Sequence, residues 1–146
     1  MDVLRKIKTE ETIPLRHSIL RPNQSLEDCE YPGDDDPHTL HVGLFQRNTL
    51  VGIASVYRED NPSLGPRKGW RLRGMAVLEK HRNAGIGKKL LDACIEHAKG
   101  ADGAYLWCNA RPSASGLYDK NQFHRVGDEF DIPDIGPHYL MVRELD

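Results

Sequence analysis

The spacing of apolar and polar positions changes several times along the chain, and each change marks an element. Val3 to Ile7 reads as a short first strand. Thr9 to Leu20 reads as a helix: Glu10 and Glu11 suit the positive end of its dipole, and Pro14 is tolerable only near its first turn. Residues 21–37 are irregular, with Pro22, Pro32, Gly33 and Pro37 around the run Asp34-Asp35-Asp36. His41 to Gln46 and Thr49 to Arg58 are strand-like. They are joined by Arg47-Asn48, a two-residue link in which Asn accepts positive φ, and this predicts an antiparallel hairpin. A loop rich in Pro and Gly covers Asp60 to Gly69.

The second half is patterned more strongly. Trp70 to Leu78 alternates, with Trp70, Leu72, Gly74 and Ala76 on one face and Arg71, Arg73, Met75 and Val77 on the other. From Gly85 the period becomes helical. Ile86, Leu90, Leu91, Cys94, Ile95 and Ala98 form one apolar stripe, stopped by Gly100 and Gly103. Ala104 to Asn109 is a strand again, and strand, helix, strand in this order implies a parallel pair with a right-handed crossover. Behind Pro112, Ser113 to Asn121 reads as a short helix with Ser113 as N-cap and Ala114, Leu117 and Tyr118 on one face. Phe123 to Ile132 and His138 to Leu145 are the last two strands. The expected fold is α/β, a mixed sheet of about seven strands with helices packed on its faces, in one domain over residues 1–146.

Composition narrows the function. A formal net charge of −2 gives no pull toward nucleic acid or an anionic membrane. No apolar run is long enough to cross a bilayer, and the first residues lack a signal-peptide core, so the expectation is a cytoplasmic protein. Cys29, Cys94 and Cys108 are dispersed and odd in number, as free thiols in a reducing compartment would be. Cys94 on the helix stripe and Cys108 in a strand are expected to be inert. His38 and His41 lack further ligands, so no metal is expected. Asp34 to Asp36 reads as a solvated loop.

The chemistry is concentrated in Arg82-Asn83-Ala84-Gly85-Ile86-Gly87-Lys88, between a strand and a helix. A helix N-terminus leaves its first amides unpaired at the positive end of the dipole, and glycines let a ligand come close. That makes a main-chain anion site suited to a pyrophosphate, to which Arg82 and Lys88 can add charge. A nucleoside-triphosphate loop is excluded, because Arg82 replaces its first Gly and Lys89 stands where Ser or Thr is needed. A dinucleotide fingerprint is excluded by the glycine spacing and the mid-chain position.

Arg82, Gly85 and Gly87 resemble the Arg-x-x-Gly-x-Gly signature of the GNAT superfamily of acetyl-CoA-dependent N-acetyltransferases. The resemblance extends over roughly Trp70 to Leu145 and includes Leu117-Tyr118-Asp119-Lys120-Asn121-Gln122-Phe123, where members commonly show Leu-Tyr-x-Lys-x-Gly-Phe. Gln122 departs from the usual Gly, with Asn121 available for the left-handed helix end. The resemblance implies a mostly antiparallel sheet whose central parallel pair splays apart around the pantetheine arm of acetyl-CoA. It implies that Asn83, Ala84, Ile86 and the signature residues hold the cofactor, that the backbone of Met75, Ala76 and Val77 faces the arm and acetyl group, and that Asn109 reaches the pantetheine. Tyr118 would face the sulfur as general acid, with core packing as its blander reading.

Some members carry a glutamate base in the strand that holds Arg71 and Arg73, and this chain has none there; the two arginines are expected on a half-exposed strand face. His138, at the start of the last strand, is the base candidate, against the alternative of a surface histidine. The acceptor implied is an amine of a small molecule or peptide, its pocket shaped by residues 10–40. These residues, from Leu15-Arg16 through Leu20-Arg21-Pro22, resemble some bacterial members of unknown substrate. Family members are often dimers, which leaves a homodimer open. The competing function is a CoA-binding sensor or scaffold without turnover.

Overall fold

The computed structural model describes residues 2–145; Met1 and Asp146 lie outside the described residues. Seven strands form one sheet: β1 (Asp2–Lys6), β2 (Leu40–Gln46), β3 (Thr49–Arg58), β4 (Gly69–Val77), β5 (Tyr105–Ala110), β6 (His124–Ile132) and β7 (Gly136–Glu144). Their order is β1-β2-β3-β4-β5-β7-β6, antiparallel throughout except for the parallel pair β4 and β5. The β2–β3 hairpin turns on Arg47 and Asn48, both at positive φ (49° and 67°), as the two-residue link predicts.

Helices α1 (Thr9–Leu15), α2 (Ile86–Gly100) and α3 (Ser115–Lys120) complete the fold. The predicted apolar stripe of α2 is buried at all six positions and packs on Leu44, Val56, Trp70 and Leu72 in the larger core. Each such large side chain contributes roughly 1.5–3 kcal/mol on burial. Ile7, Ile53 and Ala76 form a smaller core on the opposite face, beneath Leu15, Ile19 and Leu20. The helix expected over Thr9 to Leu20 is α1 followed by a π-type turn, Arg16–Leu20, in which the Arg21 amide reaches back to the Arg16 carbonyl. The wider turn follows Pro14, which has no amide hydrogen to donate within the helix.

Three local expectations are corrected. The alternation of β4 does not persist, because Ile53 pairs with Ala76 while Ser55 pairs with Arg73, leaving Gly74 and Met75 opposite Ala54 alone. This bulge turns on Gly74 at φ +69° and swaps the faces. Met75 and Val77 therefore join the face of Trp70 and Leu72, and Ala76 crosses to the face of α1. Ser113 is not a helix cap: it lies in a 3-10 turn (Pro112–Ala114), and α3 begins at Ser115. At the other end of α3 it is Gln122, not Asn121, that takes the left-handed conformation (φ 71°). The Phe123 amide then closes onto the Tyr118 carbonyl, while the Asn121 side chain caps the Leu117 carbonyl.

Candidate active site

The site is built where β4 and β5 part. They pair at only three positions, Gly69 with Tyr105, Trp70 with Leu106 and Arg71 with Trp107. Beyond Arg71 the edge of β4 that faces β5 has no strand partner, and the bulge at Gly74 bends it further away. Peptide groups of Met75, Ala76 and Val77 thus lie along the opening. On the far side Arg111, just past β5, donates to the Leu20 carbonyl at 2.7 Å, tying the end of the π-type turn to the end of β5.

A 3-10 turn, Glu79–His81, carries the chain from β4 to α2. Asn83 (φ 63°) and Gly85 (φ 80°) are both left-handed, and residues 82–85 are exposed. The amides of Asn83, Ala84 and Gly85 have no hydrogen-bond acceptor among the described residues. Those of Ile86, Gly87 and Lys88 belong to the first turn of α2, where no intrahelical acceptor is available. A Cβ built on Gly85 would meet nothing within 4 Å, so the space beside it is open. The side chains contribute less than the backbone. Ile86 is buried in the core, Arg82 Nε donates to the Val77 carbonyl at 3.0 Å, and the Lys88 ammonium bridges to Asp92.

Gly87 approaches α3 closely, since a Cβ there would stand 3.3 Å from Leu117 Cδ2. The next residue, Tyr118, is buried in the larger core and tilted against Phe123, with ring centroids 5.3 Å apart. Its hydroxyl has no hydrogen-bond partner among the described residues. Burial, reinforced by the nearby Cys108 and Cys94 thiols, holds its pKa well above the ordinary phenol value. Burial also pushes the Cys94 thiol up to about 12 and raises Cys108, so neither is a reactive thiolate. The Asn109 side chain is half-buried and makes no hydrogen bond with the described residues.

His138 is buried rather than at the surface, contrary to the blander expectation. It pairs with Phe130 across the β6–β7 ladder, and its Nδ1 lies 2.8 Å from the Gly136 carbonyl. Donation from Nδ1–H to that carbonyl leaves Nε2 with a free lone pair.

The α1 face holds a polar network that sequence reasoning missed. Asp34, expected in a solvated loop, is buried and receives both terminal nitrogens of the fully buried Arg16, at 2.8 and 3.1 Å. The Tyr57 hydroxyl and the Tyr31 amide also donate to it. Burial alone would raise its carboxyl pKa, but these hydrogen bonds outweigh it and hold the group below its ordinary value. His41 belongs to the same network, bonded to Ser55 and to the Asp34 carbonyl, whereas His38 is an exposed partner of Asp36. Among the described residues no group of three or more His, Cys, Asp or Glu could hold a metal ion. A cation that must be buried at Arg16 requires a buried anion, but the sequence signal for which of three adjacent aspartates supplies it is absent.

Two shallow surface hollows, of about 480 and 490 Å³, lie around Arg47 on the β1–β2 side, and the second reaches His81 at the end of the turn before Arg82. No helix is long and apolar enough to cross a membrane among the described residues.

Comparison with known proteins places this geometry in a group. The Acetyltransferase (GNAT) family profile matches residues 4–123. The chain is 40% identical over 143 residues to the uncharacterised N-acetyltransferase YitI of Bacillus subtilis, covering 97% of this chain and 95% of that protein. Its fold is similar to Escherichia coli ElaA (TM-score 0.76, 18% identity, 99% of this chain and 100% of that one). It is also similar to an aminoglycoside 6'-N-acetyltransferase complexed with coenzyme A (TM-score 0.78, 13% identity, 99% and 97% covered).

Proposed function

The chain belongs to the GNAT family of acetyltransferases, and on that premise we propose that it moves an acetyl group from acetyl-CoA to an amine by direct attack in a ternary complex. The observation that carries this reading is the run of unpaired amides from Asn83 to Lys88, open at Gly85, beside the parted edge of β4. The residues fit a pyrophosphate-bearing co-substrate: the donors are backbone groups at a helix N-terminus, and no side chain blocks them. Met75, Ala76 and Val77 would line the pantetheine arm with backbone, of which one amide would donate to the oxygen that becomes negative as the amine attacks. Asn109 offers its unpaired amide to the same arm. Tyr118 donates a hydrogen bond to the departing sulfur. Incubating the protein with acetyl-CoA and a panel of amines, while following free thiol, tests the reading. Amine-dependent thiol release is expected; CoA binding with no release from any amine would favour a sensor.

Two variants probe the parts. Gly85→Asp brings a carboxylate and a Cβ into the open side of the cradle and loses the left-handed conformation that Gly favours. CoA binding should weaken by at least ~2 kcal/mol, and unchanged affinity in a folded variant contradicts the cradle. His138 is the proton acceptor in this reading, because its Nε2 lone pair is free while Nδ1 is fixed by Gly136. His138→Ala should lower kcat/KM by roughly 10²-fold. A folded variant that keeps the wild-type kcat/KM would remove it from the mechanism.

A further inference from the structure

The α1 face beside the splay carries more positive charge than it neutralises. The guanidinium carbons of Arg16, Arg73 and Arg21 stand 4.1, 4.1 and 5.1 Å from the centre of the Tyr31 ring. Arg16 has its counter-ion in Asp34. Arg21 is held by the Asp28 carbonyl and the Gln24 amide, and neither it nor Arg73 forms an ion pair among the described residues. Arg73 also makes no hydrogen bond among them, although it is half-buried. One residue pair before it on the same strand face, Arg71 lies 4.8 Å over Trp107 and reaches the exposed Glu59 with one nitrogen, while its buried Nε has no partner.

A guanidinium taken partly out of water without an anion is costly, and stacking on one tyrosine offsets only part of that cost. Desolvation, and then the charge of Arg71, lower the Arg73 pKa from its ordinary value, as expected for a cation lacking its partner. The position of Arg73 is specific. It immediately precedes the Gly74 bulge, just past the last β4–β5 pair, and Tyr31 presses on the site where a Gly74 Cβ would be, at 3.2 Å. Arg73 therefore stands at the start of the segment of β4 that parts from β5. Arginine's planar fork matches an oxyanion in two-point contact.

We propose that Arg73, supported by Arg71, reads an oxyanion on the acceptor, so that the amine substrate also carries a carboxylate or a phosphate. This rests on the acetyltransferase reading above and deepens it. A polycationic acceptor is disfavoured at this face by the same charges.

The test uses matched acceptors with the whole protein: free amino acids against their carboxamides, and phosphoethanolamine against ethanolamine. Wild type should favour the anionic member of at least one pair by about tenfold or more in kcat/KM, and the pair that responds separates carboxylate from phosphate. Arg73→Gln should bring that ratio to within about threefold of unity, and Arg73→Glu should invert it toward the neutral or cationic member. Neutral members turned over as well as anionic ones by wild type, or a preference that survives Arg73→Gln, would overturn the proposal. Calorimetric titration of wild type with CoA keeps the two readings apart. CoA binding and turnover without anion preference overturns this inference alone, whereas failure to bind CoA overturns the parent reading and this one with it.

Discussion

Asp34→Asn is expected to lower the folding free energy by about 3–5 kcal/mol, the cost of leaving a buried cation without its anion. Arg16 is fully buried, and its two terminal nitrogens converge on Asp34 as well as on Ser55, Tyr57 and the Cys29 carbonyl. Asparagine keeps the shape of the carboxylate but can neither neutralise the guanidinium nor accept at both oxygens. Because Asp34 lies in the irregular segment before β2 and Arg16 lies in the turn after α1, the substitution also loosens the wall that presents Tyr31 to Arg73. Chemical denaturation of both proteins measures the difference, and a loss below ~1 kcal/mol would mean that the pair contributes no more than an exposed one. The pH dependence has a definite sign. A carboxyl whose folded pKa is depressed contributes stability above its unfolded pKa, near ~3.9, and loses it as pH falls through the folded value. Wild type should therefore lose stability steeply below about pH 4, and Asp34→Asn should show a flatter acid limb.

Tyr118→Phe should reduce kcat by about 10²-fold with acetyl-CoA affinity nearly unchanged, the loss typical of one hydrogen-bond donor to a developing anion. The ring packs in the larger core against Phe123, and phenylalanine preserves that contact. Only the hydroxyl is removed, and it has no protein partner among the described residues. An ordinary phenol at ~10 lies above a thiol at ~8.5, and burial has raised Tyr118 further. In the proposed mechanism the hydroxyl would serve the departing sulfur as a hydrogen-bond donor, the role that the substitution removes. Steady-state kinetics decide the matter. A variant retaining more than about half the wild-type rate would make Tyr118 a core residue and leave the sulfur to another donor.

The features legible in the sequence are those fixed by local spacing. The α2 stripe, the Arg47-Asn48 hairpin and the strand-helix-strand arrangement around Gly85 each follow from a run of neighbouring residues. The bulge at Gly74 was not legible, because it arises from the register of β4 against β3 rather than from β4 itself. Its consequence is that Met75 and Val77 move onto one face and Ala76 onto the other. Asp34 reads as one member of a solvated run until Arg16, 18 residues earlier, is folded onto it. Gln122 at φ 71° carries a conformation that its side chain does not favour, held by the Phe123 amide closing onto Tyr118. For Gly74 and Asp34 a contact distant in sequence overrides the local preference, and for Gln122 the closure of the helix end does so.

Titration calorimetry of wild type with CoA, set beside pantetheine, bears most directly on the main-chain cradle. Pantetheine has the arm that would lie between β4 and β5 but lacks the pyrophosphate. Saturable one-to-one binding of CoA, tighter than that of pantetheine by about 30-fold or more, is the result predicted from at least ~2 kcal/mol of backbone contact with the phosphates. Equal affinity for the two, or no binding of CoA, would contradict it.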